Sequence, residues 1–421
     1  MAIEFEINRP DPRPFRRAFI KRRSSSTGLY EASWFEITKY IKKWSSIDRS
    51  VDDLRLNRFT HSGFSVAVRN DTGAFNLESN QNSIWNGYMT RYRTLVRIEG
   101  GYFDSDQVEL PTDSAIGVFI ITDEIPISGV SNQATLRAKS LVSVFDEVRV
   151  ADVAGINSTQ TADSLITKIR DHTDGASNFY FRQFITSTSW TIQSTSAYYN
   201  VTSTVIGSMT CWEFMEKLAE AEGYLLMINR SGGLEFRNRD ERTTTSQFSF
   251  FGQGFNPMNI IALEEHKEAY NKLYTFFRLK YLEADTSTSY VTAGSTSSVD
   301  PSSTAWKYGS RVYNFETTFL NNTAAAQNIV NSLASTFSVV KEELTLRTKF
   351  CPHLEVSDKV AVSYRSYSVT LRTFWDLFSW DTGTWAGAGG ENFDLNAVSY
   401  KILSVNHNLE KLYTTFKVRA L

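Results

Sequence analysis

The side chains able to do acid–base, nucleophilic or metal chemistry are scattered. The five histidines, His61, His172, His266, His353 and His407, lie far apart in the chain. No His-Glu-x-x-His step and no cluster of Cys and His ligands, the patterns a zinc ion needs, occurs. Cys211 and Cys351 share no local pairing pattern, which fits synthesis in a reducing compartment; a distant disulfide stays open. No Walker loop, no G-x-G-x-x-G ahead of a helix and no G-x-S-x-G elbow occurs. Gly387-Ala388-Gly389-Gly390 is glycine-rich, but no lysine follows it, so it reads as a flexible loop rather than a phosphate cradle. The residues predict no catalytic site, no cofactor and no metal.

Two constellations remain. The first is FWDLFSWDTGTWAG, in which Trp375, Trp380 and Trp385 recur at every fifth residue and Asp376 and Asp381 follow the first two. That step suits neither a helix nor a strand. It reads as successive turns, each Asp bonding a backbone N–H two residues on and each Trp carrying a large apolar face. The rings are either a small core beneath the loop or anchors at a subunit boundary; the second reading is preferred. A glycosidase pair drawn from Asp376, Asp381, Glu391 and Asp394 would need a set carboxyl separation, which spacing alone does not supply. The second constellation is basic: Arg9, Arg13, Arg16, Arg17, Lys21, Arg22 and Arg23 stand against one acid, Asp11. Alternation puts Arg17, Phe19, Lys21 and Arg23 on one side of a strand and Arg16, Ala18, Ile20 and Arg22 on the other. Neither side is purely basic, so an arm docking on a partner is a better reading than a nucleic-acid stripe.

The elements that must carry these residues are mostly strands. In a chain of 421 residues, 14% aromatic with abundant Ser and Thr, the composition favours a pleated, half-buried surface. A net charge of −2 argues against a general polyanion binder. No apolar run is long enough to span a membrane, and MAIEFEINRPDPRP lacks the apolar stretch of an export signal. GFSVAVRNDTGAF predicts a strand closed by a turn at Asn70 to Gly73. RYRTLVRIEGGYF predicts another, with Gly100-Gly101 between strand and tail. Thr210-Cys211-Trp212-Glu213 is a capping-box pattern, Gly223 is placed to stop that helix, and a hairpin turning at Ser231-Gly232-Gly233 follows. Residues 285–304 are poor in apolar side chains and read as an exposed Ser/Thr-rich loop, and NNTAAAQNIVNSLASTF reads as a helix.

The order of these passages resembles the baseplate hub family of bacteriophage tails, which also forms the N-terminal part of siphophage tail-tip proteins. Asn70, Gly73 and Phe75 resemble its strand-ending turn. Val96, Ile98, Gly101 and Tyr102 resemble the strand that follows. Gly117, Ile120, Leu136, Leu141 and Phe145 resemble its next strands and short helix. Asp358 and Val360 look like a turn of its second barrel. The resemblance implies a mainly β chain with α+β insertions. Two tail-tube-like β-barrel domains, at 1–150 with a basic N-terminal arm and at 261–421 with the loops 285–304 and 374–397, would flank a helix-and-hairpin region at 151–260. It implies a structural virion protein at the tail tip, made in the host cytoplasm, and not an enzyme. Copies would form a ring, commonly a trimer, that joins the tail tube to the distal apparatus and lets DNA pass during ejection without holding it. Distal tail proteins, the tape-measure protein and spike or fibre proteins are the partners it implies. The chain stops at Leu421, so a spike, peptidase or fibre-binding part would be another polypeptide. A distal tail ring protein is the near alternative. A carbohydrate- or receptor-binding tail protein, resting on Trp375, Trp380 and Trp385, is the other. The candidate interface is those three tryptophans with Asp376 and Asp381, together with Arg13, Arg16, Arg17, Lys21, Arg22 and Arg23.

Overall fold

In the computed structural model the described residues are 6–9, 11–52, 58–60, 63–76, 80–88, 93–104, 115–122, 125, 127–128, 132–173, 180–201, 206–238, 245–282, 287–296, 303–317, 323–366 and 393–421. Strand accounts for 47% and helix for 19%, so the chain is mainly β.

Two large sheets dominate. The first runs, in spatial order, through Phe35–Glu36, Arg13–Lys21, Leu95–Phe103, Ala115–Ile120, Gln133–Ser140, Phe64–Arg69 and Ile41–Trp44, with Ile127–Ser128 added on Gln133–Ser140. Every pairing in it is antiparallel. Period-two alternation forms its core face: Phe64, Val66 and Val68 are buried, whereas Arg69 is exposed. The second sheet runs Ser246–Phe251, Lys359–Ser366, Phe393–Asn408, Tyr413–Ala420, Glu342–Lys349 and Ile260–Glu268. Its first pair is parallel and the rest are antiparallel. A bulge between Ile402 and Ser404 shifts the inward phase, so Tyr400 and Ile402 before it and Val405 and His407 after it are all buried. Among the described residues neither sheet closes into a barrel: each strand order has two ends.

One stretch of backbone belongs to both sheets. Ile41–Trp44 pairs with Phe64–Arg69 in the first. Ser46–Asp52 pairs with Phe393–Asn408 in the second and carries Arg58–Thr60 on its edge. The change falls at Ser45, whose N–H donates to the Ser65 carbonyl and whose hydroxyl accepts from the Ser65 N–H. Both sheets bury their faces in one continuous apolar core.

A second core lies beside it, between helices and small sheets. Helix Cys211–Glu222 starts at a complete capping box, with Thr210 accepting from the Glu213 N–H and Glu213 reaching back, and stops at Gly223, whose φ is 67°. Such a cap contributes on the order of 1 kcal/mol. Tyr224–Ile228 pairs with Leu234–Asn238, which takes Trp190–Ile192 in parallel. A second unit lays helix Thr323–Phe337 on the sheet of Thr288–Gly294, Phe276–Leu282 and Val312–Thr317. Residues 285–304, expected as loop, therefore contain a strand. Its alternation is cryptic because only Val291 among its side chains is buried, against Leu279 on the facing strand. Strand Tyr224–Ile228 divides its side chains: Leu225 and Met227 enter the first core, Leu226 and Ile228 the second.

Candidate assembly site

The connection 350–358, FCPHLEVSD, lies between two strands of the second sheet and plugs into the rest of the molecule. The Phe350 ring sits on Gly100, where an added Cβ would stand 2.6 Å from it. Gly101 gives the same clearance to Phe15, at 2.9 Å. The expected break at Gly100-Gly101 is therefore corrected: Leu95–Phe103 is one strand, and its glycines admit two aromatic rings. Tyr102 Oη donates to the Phe350 carbonyl at 2.7 Å and binds the same junction by a polar contact.

Glu355 is the centre of a buried charge cluster. Its Oε1 lies 2.9 Å from Arg49 Nη1, with the two side chains 6% and 9% exposed. The same oxygen accepts from the backbone N–H of Arg230, at the tip of the hairpin built from Tyr224–Ile228 and Leu234–Asn238. Arg230 Nη1 donates in turn to the Ala115 carbonyl of the first sheet. Beside it Gly232, with φ of 81°, packs so tightly on Val118 that a Cβ would stand 2.8 Å from that side chain. The Glu355 N–H donates to Asp358 Oδ2 at 2.8 Å, and the N–H of Ser357 donates to the Ile402 carbonyl. Two separate segments, the strand carrying Arg49 and the hairpin tip at Arg230, thus converge on one carboxylate. A buried pair is costly to break from one side, because the charge left behind has no water.

The neighbouring titratable groups are held uncharged. Burial, then the Arg49 and Arg230 charges, push His407 down to about 3. Its Nδ1 lies 3.1 Å from Thr414 Oγ1, which also accepts the Cys351 N–H. His353 is half-buried as a residue, but both ring nitrogens are buried and without a hydrogen-bond partner among the described residues. Burial and Arg230 lower it to about 3 as well. Burial pushes the Cys351 thiol up to about 12, which makes it a packing group and not a nucleophile. Cys211 and Cys351 are both free. Among the described residues no group of three or more His, Cys, Asp or Glu side chains could hold a metal ion, and no helix is long and apolar enough to cross a membrane.

The basic stretch folds as strand Arg13–Lys21 and the bridge that follows it. Most of its charges have partners within the chain. Arg22 grips Glu31 through Nε at 2.8 Å and Nη2 at 2.7 Å, and its guanidinium carbon lies 3.9 Å from the Tyr88 ring centroid and 4.8 Å from that of Phe35. Partial burial alone would raise the Glu31 carboxyl. The bonds from Arg22 and Tyr88 outweigh it and hold that carboxyl below the ordinary carboxylate range. Arg16 stacks on Trp44 at 5.0 Å, Arg17 lies 4.0 Å from Glu36, Lys21 sits over Trp34 at 5.7 Å, and Arg23 donates to the Gly28 carbonyl. Arg13 is exposed. The second part of the expected interface, Trp375, Asp376, Trp380, Asp381 and Trp385, lies outside the described residues.

The sequence reading missed the charge cluster. Its one legible signal was Arg49, which sits in the inward phase between Ile47 and Val51; nothing in the spacing tied it to Glu355 or Arg230.

No known family profile matches the sequence, and no curated protein matches it. Solved structures do match. The tail protein from Neisseria meningitidis MC58 superposes with a TM-score of 0.54 over 96% of this chain and 96% of that one, at 9% identity. The prophage tail protein gp18 from Listeria monocytogenes EGD-e superposes with a TM-score of 0.50 over 96% of this chain and 94% of that one, at 12% identity. The chain has a phage tail protein fold. With 96% of the residues inside the likeness, the tail-protein fold takes in both large sheets and the helical units between them.

Proposed function

We propose that the chain is a structural hub of a phage tail tip, a ring that joins the tail tube to the distal apparatus and leaves a channel for the ejected DNA. The observation that carries this reading is the pairing of two eight-stranded sheets on one core, joined by the strand that changes sheet at Ser45, within a fold shared end to end with tail proteins. Each sheet is the proposed counterpart of a tail-tube barrel. Three copies of a chain with two such sheets present six of them, which suits a sixfold tube. The buried charge cluster is the brace that keeps the two sheets in register inside each subunit. The ring reads as non-enzymatic, and its partners as the tail tube, distal tail, tape-measure and spike or fibre proteins of the virion.

The tryptophans 375, 380 and 385 are proposed as contacts between copies, with Arg13 as the exposed member of the basic strand. The full chain, imaged at high concentration, should give class averages of a ring with threefold symmetry, and its mass by light scattering should be that of three chains. A chain that stays monomeric and binds no tail component would overturn the reading. Trp380→Ala should lower the ring population more than it lowers the melting temperature of the subunit; equal loss of both would make the loop a local core instead.

A further inference from the structure

We propose that the outer face of the sheet formed by Thr288–Gly294, Phe276–Leu282 and Val312–Thr317 is a binding face for an acidic saccharide, a sugar carrying a carboxylate or a phosphate. The inner face of this sheet is filled: Phe277, Leu279 and Tyr281 are buried in the core against helix Thr323–Phe337. The outer face holds a shallow recess of about 330 Å³ lined by Arg278, Lys280, Tyr290, Asn314, Phe315 and Glu316.

Strand register sets out its polar groups as a grid. Arg278 lies opposite Thr292 on one neighbour and Asn314 on the other, and Lys280 lies opposite Tyr290 and Glu316. Neighbouring strands stand about 4.8 Å apart and alternate residues roughly 6.8 Å apart along a strand, so the grid has the footprint of one or two sugar rings. Two contacts hold the side chains in place. Arg278 places its guanidinium carbon 4.0 Å from the Tyr290 ring centroid, and Lys280 Nζ lies 2.8 Å from Glu316 Oε1.

The stacking decides the ligand's charge. A guanidinium packed on an aromatic face has spent that face, and its in-plane N–H donors point outward in the fork that matches a carboxylate or phosphate. Lys280 already has its carboxylate in Glu316, whereas no ion pair forms on Arg278 among the described residues. Two cations against one acid leave the recess positive. Tyr290 keeps 49% of its surface exposed, so the part of the ring that Arg278 does not cover is an apolar platform for the C–H face of a sugar, and Asn314 adds an amide for hydroxyls. The helix behind the sheet fixes the backbone under all of these groups.

The test uses the full chain in whatever oligomer it forms. Titration calorimetry with oligogalacturonate and with glycerol-phosphate teichoic acid separates carboxylate from phosphate sources, and a neutral oligogalactose serves as the control. The expected result is binding of at least one acidic probe, with affinity weakened by about tenfold or more in Arg278→Gln and in Tyr290→Ala at unchanged melting temperature. The proposal is overturned if neither acidic probe binds, if both variants bind as the parent does, or if the neutral control binds equally well. It is also overturned if the variants change only the mass of the assembled particle, which would make the face a contact between copies.

Discussion

Phe350, in the connection between two strands of the second sheet, lies so close to Gly100 that its ring rests on the backbone of strand Leu95–Phe103 in the first. Replacing a glycine inside a strand by alanine ordinarily gains about 0.5–1 kcal/mol from chain entropy. Here the new methyl meets Phe350 at 2.6 Å and Ile116 at 2.8 Å. Gly100→Ala should therefore cost about 1–3 kcal/mol, the overpacking range. Urea denaturation measures it, and adding Phe350→Leu should recover part of the loss.

The Arg49–Glu355 pair predicts an asymmetric double-mutant cycle. Arg49→Met takes the guanidinium away from the buried Glu355 carboxylate and should cost about 3–5 kcal/mol. Adding Glu355→Met removes the stranded charge, so the double variant should be more stable than Arg49→Met alone. A double variant worse than the single would mean that the carboxylate is held by groups other than Arg49.

His353 and His407 predict an acid limb. Both are held at about 3 in the fold, and their ordinary value is 6.5. The unfolded chain takes up protons below pH 6.5 that the native fold refuses until about 3. Stability is thus complete above 6.5 and falls as pH drops through that window. Melting temperatures measured from pH 8 to 4 should show the decline. His353→Phe, at a site where the ring already packs edge-on to Phe248, should make it shallower.

Arg22 and Arg13 should separate folding from docking. Arg22→Lys loses the two-pronged grip on Glu31 and the stacking on Tyr88, and should lower stability by about 1.5–3 kcal/mol. Arg13→Ala, on an exposed residue, should stay within about 0.5 kcal/mol in the same melt. Any effect of Arg13→Glu should then appear in the light-scattering mass of the proposed ring and not in the melting temperature.

Local chemistry made some elements legible from sequence. The capping box at Thr210 and Glu213, the stop at Gly223 and the alternation of Phe64, Val66 and Val68 are each settled within a few residues, and each folds as read. Partnership over long separations left no such mark. The basic stretch read as an arm because its acids and rings, Glu31, Glu36, Trp34, Trp44 and Tyr88, enter only when the chain folds back. Gly100-Gly101 read as an ending because the ring that needs the space is Phe350, far down the chain. The bulge after Ile402 breaks period-two reading at the point where the strand changes its pairing phase.

The crossing at Ser45 makes the two large sheets one mechanical member. Force applied to the first sheet reaches the second along a covalent chain, through Trp44, Ser45 and Ser46, without relying on side-chain friction at the core. Hydrogen-bond ladders on either side load that segment in shear, so sliding one sheet past the other would have to unzip the pairing to Phe64–Arg69 or to Phe393–Asn408.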